Sequence, residues 1–162
     1  MQEEAVVFLL LCEELFIYQL STGNDMFLEN PASSSIFYHR IAQRILALRI
    51  KFRGKVRRVV HRTSDMCAFG KTNPEGEPIR KRLGFLVTEE IADSVVRACV
   101  CRKKPGAKSL HAWIEGKETR GSMVYPDLFV DTVLGRVQER KSESEAMYGL
   151  LDTEHGVVES YH

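Results

Sequence analysis

Two short segments in the last third of the chain carry residues that can bind a divalent metal ion. Residues 125–130 read YPDLFV and residues 138–141 read QERK. Carboxylates hold Mg²⁺ or Mn²⁺ against a phosphodiester, and a neighbouring cation stabilises the charge that develops as the bond breaks. These residue types indicate phosphodiester hydrolysis, provided that the two segments meet.

A β-hairpin turning near Val133–Gly135 would bring the two segments together. Asp127 and Glu139 lie at similar distances from that turn, and alternate residues of a strand share a face, so Lys141 points the same way as Glu139. We therefore predict metal binding by the two carboxylates and the main-chain carbonyl of Arg140. Lys141 would position or polarise the attacking water.

A third carboxylate is expected from the element that precedes the hairpin. The stretch Ile79–Val96 reads as a helix with Glu89 and Glu90 near its middle. Neighbouring helical residues point about 100° apart, so only one of the two can face the sheet, and we assign Glu90. The predicted metal ligands are Glu90, Asp127 and Glu139, and the predicted catalytic set adds Lys141.

A basic block precedes these segments. Residues 30–64 contain no acid but many arginines and lysines, which favours contact with a nucleic-acid backbone. The predicted phosphate contacts are Arg53, Lys55, Arg57, Arg58, Arg62 and Lys71. A second hypothesis needs no catalysis: a nucleic-acid-binding or assembly protein that uses only the block from Arg40 to Arg62.

The length of 162 residues suits one compact domain. We predict a helix over Ile36–Ile50, a strand or extended arm after Gly54, a loop over Lys71–Pro78 and alternating β structure from about Val95 onward. These elements indicate an α/β fold, with a mixed, mostly antiparallel sheet flanked by helices. The apolar run Ala5–Leu20 is interrupted by two glutamates, so it is expected to be a buried helix or strand rather than a membrane span.

The four cysteines are Cys12, Cys67, Cys99 and Cys101, and no pair has the C-x-x-C spacing of a zinc or redox site. This usage predicts reduced, mostly buried thiols in a cytoplasmic protein.

A third hypothesis starts from His111-Ala112-Trp113. With Asp127 downstream, this segment resembles the His-x-Trp…Asp portion of transglutaminase-like cysteine peptidases, in which Cys67 would be the nucleophile. The simpler interpretation is that His111 and Trp113 pack on one face of a strand.

The segments KVRRVVHRTSDMCAFGK, FLVTEEIADSVV and IEGKETRGSMVYPDLFVDTVLGRVQERKS resemble the endonuclease subunit of heteromeric transposases, the TnsA type of the PD-(D/E)xK superfamily. The resemblance spans about Lys55–Ser142. It implies a restriction-endonuclease-like core in residues 55–162, preceded by a helical and basic region in 1–54. It also implies Mg²⁺-dependent cleavage of DNA at transposon ends, with a DDE transposase and an ATPase regulator as partners. The positions that match the catalytic set are Glu90, Asp127, Glu139 and Lys141.

Overall fold

A four-stranded antiparallel sheet forms the centre of the part of the chain that is described. The computed structural model describes residues 3–102, 110–112 and 124–154. The strands are β1 (Phe27–Pro31), β2 (Arg49–Phe52), β3 (Lys55–Asp65) and β4 (Arg82–Thr88). Their order across the sheet is β1-β4-β3-β2. Each neighbouring pair is antiparallel, so β3 and β4 are central and β1 and β2 form the edges.

Helices cover both faces of this sheet. In the described residues the α-helices are α1 (Glu3–Ser21), α2 (Arg40–Ala47) and α3 (Asp127–Glu154), and three 3-10 helices span Ser35–Tyr38, Met66–Phe69 and Glu89–Val95. The predicted α/β class with a mostly antiparallel sheet is confirmed at this level of detail.

Strand β4 separates two hydrophobic clusters because its side chains alternate between the faces. Leu86 joins a cluster formed mainly by α1 and α2, whereas Leu83, Phe85 and Val87 join a cluster with the start of α3. Gly84 lies on the same face of β4 as Leu86, where an added Cβ would come within 2.6 Å of the Phe37 ring. Both faces of β4 are therefore buried.

The boundary predicted between residues 54 and 55 falls in the turn between β2 and β3. Residues from both sides of it share the first cluster: Leu9, Phe16 and Ile45 pack with Val59 and Leu86. Strand β2 also pairs with β3 across the same turn. The amino-terminal third is thus built into the same sheet and core as the rest.

Two element predictions are wrong, and a third is correct only in part. The stretch Ile79–Val96 is strand β4 followed by a 3-10 helix. The helix predicted over Ile36–Ile50 is present as the 3-10 helix Ser35–Tyr38 and α2, but it ends at Ala47 before β2 begins. Residues 96–102 have no regular secondary structure. A strand buried on both faces is apolar at successive positions, so β4 lacks the alternation that separates strands from helices. Of the two alternatives for the segment after Gly54, a strand or an extended arm, the structure has the strand. The loop predicted at Lys71–Pro78 is confirmed, with one β-bridge between Thr72 and Pro78.

Candidate functional site

The predicted metal-binding hairpin is a helix. Asp127, Glu139 and Lys141 all belong to α3. Asp127 and Glu139 are 12 residues apart, which corresponds to about 18 Å along a helix axis. Two ligands of one Mg²⁺ each lie about 2 Å from the ion. The predicted hairpin is therefore wrong, and these two carboxylates do not bind one ion in this structure.

The reason lies in the spacing of apolar residues in this segment. Phe129, Val133 and Val137 recur every fourth position, and the first two are buried in the second cluster. That spacing suits one face of a helix. Gly135, which suggested a turn, sits inside α3, because a glycine in a helix costs only about 1 kcal/mol and packing outweighs it.

Glu90, Glu139 and Lys141 each interact with a different neighbouring side chain. Glu90 lies on the 3-10 helix Glu89–Val95 and accepts from Arg57 Nε at 2.9 Å. Glu139 is paired with Arg136 at 3.2 Å, and its side chain is exposed. Lys141 is 77% exposed and 3.9 Å from Glu145. Glu90 and Glu139 line one open surface depression, but Asp127 does not line it.

Two of the predicted phosphate contacts are buried. Arg57 is 3% exposed and is paired with Asp25 and Glu90, while its Nη1 donates to the carbonyl of Asn24 at 2.8 Å. Lys71 donates to the carbonyl of Val124, and burial lowers the pKa of this lysine. Both side chains serve the fold, so the predicted phosphate contacts at these two positions are wrong.

The exposed basic residues are concentrated on the β2–β3 hairpin. Positions 49–58 hold six cations and no acid, and all the cations except Arg57 are exposed: Arg49, Lys51, Arg53, Lys55 and Arg58. Arg49 lies directly opposite Arg58 in the strand register, and Lys51 opposite Val56. Residues two apart on a strand share a face, so Arg49, Lys51 and Arg58 point to the same side.

One carboxylate borders this basic face. Glu89 accepts from Arg58 Nε at 2.6 Å. This hydrogen bond lowers the pKa of Glu89, and the charges of Arg58, Arg62 and Arg49 add to the effect. Within the described part of the chain, Lys51 and Lys55 have no ion-pair partner.

The structure also brings together three cysteines and a histidine that the sequence patterns did not indicate. Cys67, Cys99, Cys101 and His111 each offer one ligand atom, and the four atoms lie within 4.8 Å of one another. Cys99 Sγ is 3.2 Å from His111 Nε2. We call these four residues the Cys/His cluster. It is the one group of three or more His, Cys, Asp or Glu side chains with metal-binding proximity found in residues 3–102, 110–112 and 124–154.

Backbone hydrogen bonds bring the ligands of the cluster together. Cys67 lies on the 3-10 helix Met66–Phe69, which directly follows β3. The segment with the other two cysteines is tied to the end of β3: Asp65 N–H donates to the Arg97 carbonyl at 2.9 Å, and Cys99 N–H donates to Asp65 Oδ2 at 3.2 Å. Ala112 N–H donates to the Pro78 carbonyl at 2.8 Å, which fixes the position beside His111.

The cysteine-peptidase hypothesis is only partly matched by this geometry. Cys67 and His111 are close, as that hypothesis requires. However, burial and the neighbouring Cys99 and Cys101 thiols raise the pKa of Cys67 to about 12, whereas a nucleophilic thiol needs a lowered pKa. Trp113, the other residue of that motif, lies outside the described residues.

The spacing of the cluster differs from the C-x-x-C pattern of common zinc sites. Its members follow the pattern C-x31-C-x-C-x9-H. The signal in the sequence was the C-x-C pair followed by a histidine, and the first ligand comes from a distant turn that only the fold brings near.

No protein-family model, curated protein sequence or solved structure matches the chain. The resemblance to TnsA-type endonucleases therefore stays a prediction. None of the helices in the described residues is long and apolar enough to cross a membrane.

Proposed function

We propose that the protein binds double-stranded DNA without cutting it, through the β2–β3 hairpin. One observation carries this proposal: five exposed cations on ten consecutive positions of a two-stranded ribbon, with no acid among them. Cations on a protein surface replace the counterions condensed on the phosphates, and this term supplies most of the affinity in non-specific binding.

The shape of the hairpin supports a duplex as the partner. A two-stranded β-ribbon fits into the major groove of B-DNA. The turn at Arg53-Gly54 ends the ribbon, so Lys51 and Lys55 lie near its tip. The tip would enter the groove while these two lysines contact phosphates on either side.

The electrostatics of the hairpin also favour an anionic partner. Arg49 and Arg58 are direct cross-strand neighbours, and like charges in that arrangement destabilise a sheet. Glu89 compensates Arg58 only in part, because it also faces the charges of Arg49 and Arg62. Glu90 adds only a weaker interaction with Arg58. A row of phosphates would relieve the remaining repulsion.

Cleavage is not part of this proposal. The residues predicted to bind Mg²⁺ include two that lie about 18 Å apart along one helix. The nuclease activity, expected from the residue pattern and from the resemblance, stays a prediction. So do the restriction-endonuclease-like core and the transposase and ATPase partners, which the resemblance implies.

The first test measures binding of a fluorescently labelled duplex by anisotropy over a series of salt concentrations. For the wild type, log K should fall linearly with log salt, and Lys55→Gln should make the slope shallower by about one. The control is Arg82→Gln: Arg82 is exposed and lies opposite Asp65, at the far end of β3 and about 33 Å along the strand from Lys55. Equal slopes for all three proteins would contradict the proposal.

The second test separates binding from cleavage. Supercoiled plasmid is incubated with the wild type, Asp127→Ala and Lys141→Ala in Mg²⁺ or Mn²⁺. We expect binding without nicking by all three proteins. Nicking by the wild type that both variants lack would restore the nuclease prediction and overturn the non-catalytic proposal.

A further inference from the structure

We propose that Cys67, Cys99, Cys101 and His111 bind one zinc ion, and that this ion holds the segments around residues 67, 97–101 and 110–112 together. The proposal is independent of the DNA-binding hairpin, which shares no residue with the cluster. It differs from the expectation drawn from cysteine spacing, which excluded a zinc site.

The distances in the cluster suit tetrahedral coordination. Zn–S bonds of about 2.3 Å and Zn–N bonds of about 2.0 Å place the ligand atoms of a tetrahedron about 3.5–3.8 Å apart. In the structure the four atoms lie within 4.8 Å of one another, and Cys99 Sγ and His111 Nε2 are 3.2 Å apart. Shifts of about 1 Å or less would complete the coordination shell.

The donor set selects the metal. Three thiolates and one imidazole are soft or borderline ligands, which favour zinc over the hard, oxygen-preferring Mg²⁺ and Ca²⁺. Four protein ligands close a tetrahedral shell and leave no position for a substrate or water, which is characteristic of structural rather than catalytic zinc. On binding, the three thiols release their protons to solvent and His111 coordinates as the neutral imidazole.

The position of the cluster shows what the ion would do. Residues 96–102 have no regular secondary structure, so no ladder of backbone hydrogen bonds holds them against the sheet. A few bonds near Arg97 and Cys99 tie them to the end of β3. A zinc ion at Cys67 would add three bonds to ligands 32, 34 and 44 positions further along the chain.

A buried carboxylate orients one of the ligands from outside the cluster. Asp65 accepts from the Cys99 N–H through Oδ2 and from Arg80 Nε through Oδ1, at 3.2 Å each. Outer partners of this kind fix ligand orientation in metal sites. Three thiolates and one Zn²⁺ leave a net charge of −1, and Arg80, whose pKa is raised by Asp65 and more weakly by the Cys99 and Cys67 thiols, would offset it.

Metal content of the purified protein is the first test. The full chain is produced in zinc-supplemented medium and analysed by native mass spectrometry and elemental analysis. We expect one zinc per chain in the wild type and none in Cys99→Ser or His111→Ala. The matched control is Cys12→Ser, since Cys12 is also a buried free thiol but belongs to the cluster of α1 and α2.

Cys12→Ser should keep one zinc per chain. Zinc retained by both ligand variants, or lost equally from the control, would overturn the proposal. So would a wild-type mass lower by two hydrogens without metal, since this would show a disulfide among the three thiols.

A second measurement uses only the wild-type protein, so it tests the proposal even if the ligand variants do not fold. Wild-type protein is freed of metal under reducing conditions and titrated with Co²⁺, which takes the place of zinc. Tetrahedral coordination should give d–d absorption, and the thiolate-to-cobalt charge-transfer band should correspond to three thiolates and saturate at one ion per chain. Absence of both bands, or an octahedral spectrum, would overturn the proposal.

Discussion

The β2–β3 hairpin and the Cys/His cluster are both built around β3, but they hold their functional side chains by different means. The hairpin is local: residues 49–58 contain all its cations, and backbone pairing between the two strands sets their directions. The cluster is assembled from residues 67, 99, 101 and 111, and part of it comes from chain without regular structure.

Because of this difference, we expect changes in the hairpin to affect mainly binding and changes in the cluster to affect mainly the stability of the fold. Hairpin cations that face water contribute little to folding, so they can be changed with small effects on the fold. Cluster ligands converge on one point from distant segments of the chain, so the fold there should depend on whether they hold an ion. Zinc removal and substitutions in the two regions should therefore differ in their effects on stability and on binding.

Removal of zinc should have the largest effect. We expect a strong chelator to lower Tm by about 10 °C or more, since 1 kcal/mol corresponds to about 2–4 °C in a chain of this size and zinc-binding free energies reach on the order of 10 kcal/mol. Differential scanning calorimetry measures the shift, and added zinc should reverse it. A chelated, zinc-free protein with unchanged Tm would show that the cluster does not stabilise the fold.

Arg57→Met should be the most destabilising change in the hairpin. It removes the nearest cation from the buried Asp25 and the partly buried Glu90, and leaves Asp25 only the more distant Arg140, at 3.8 Å. Breaking a buried ion pair costs about 3–5 kcal/mol. The matched control is Arg58→Met on the next residue, whose pair with Glu89 is exposed to solvent and therefore contributes little to stability. Urea unfolding of both variants, with zinc present, measures the difference. Equal losses would mean that burial does not distinguish the two arginines.

The double variant Lys51→Gln/Lys55→Gln should affect binding but not stability. We expect the slope of log K against log salt for duplex binding to become shallower by about two. The affinity at low salt should drop by about tenfold or more. The free energy of unfolding should change by less than about 0.5 kcal/mol, because both side chains are exposed. A larger loss of stability with unchanged affinity would assign these lysines to the fold.

Glu89→Gln should have the smallest effect, and in the opposite direction. It removes the carboxylate that borders Arg49, Arg58 and Arg62, so binding of the duplex should tighten by about two- to fivefold at low salt, within the range of a single exposed pair. Asp93→Asn removes the same charge from an exposed position on the same 3-10 helix and should change affinity less. Weaker binding by Glu89→Gln would count against an interface at this face.

Secondary-structure elements that depend mainly on residues adjacent in sequence could be predicted. The basic strand after Gly54 and the Pro- and Gly-rich loop at 71–78 form where their composition indicates. The apolar run Ala5–Leu20, expected to be a buried helix or strand, is helix α1, with one buried face through Leu9, Cys12, Phe16 and Leu20. Each of these follows from local conformational preference and from the periodicity of apolar residues.

The errors arose where burial or helix packing outweighed a local signal. Gly135 suggested a turn, but Phe129 and Val133 pack into the second cluster and keep α3 continuous through it. That single misassigned element placed Asp127 and Glu139 opposite each other, when they lie far apart on one helix. The predicted metal site required that hairpin, so the structure does not form it.

The sequence alone determined the class of fold, the basic segment at residues 49–58 and the supply of thiols, because composition and spacing are local properties. Only the tertiary structure decided which cations face water and which are buried, as the contrast between Arg57 and Arg58 shows. It also decided that Cys67 meets Cys99, Cys101 and His111. Contacts across 32 to 44 positions depend on how β3, its following turn and the irregular segment pack together, and no short sequence pattern contains that information.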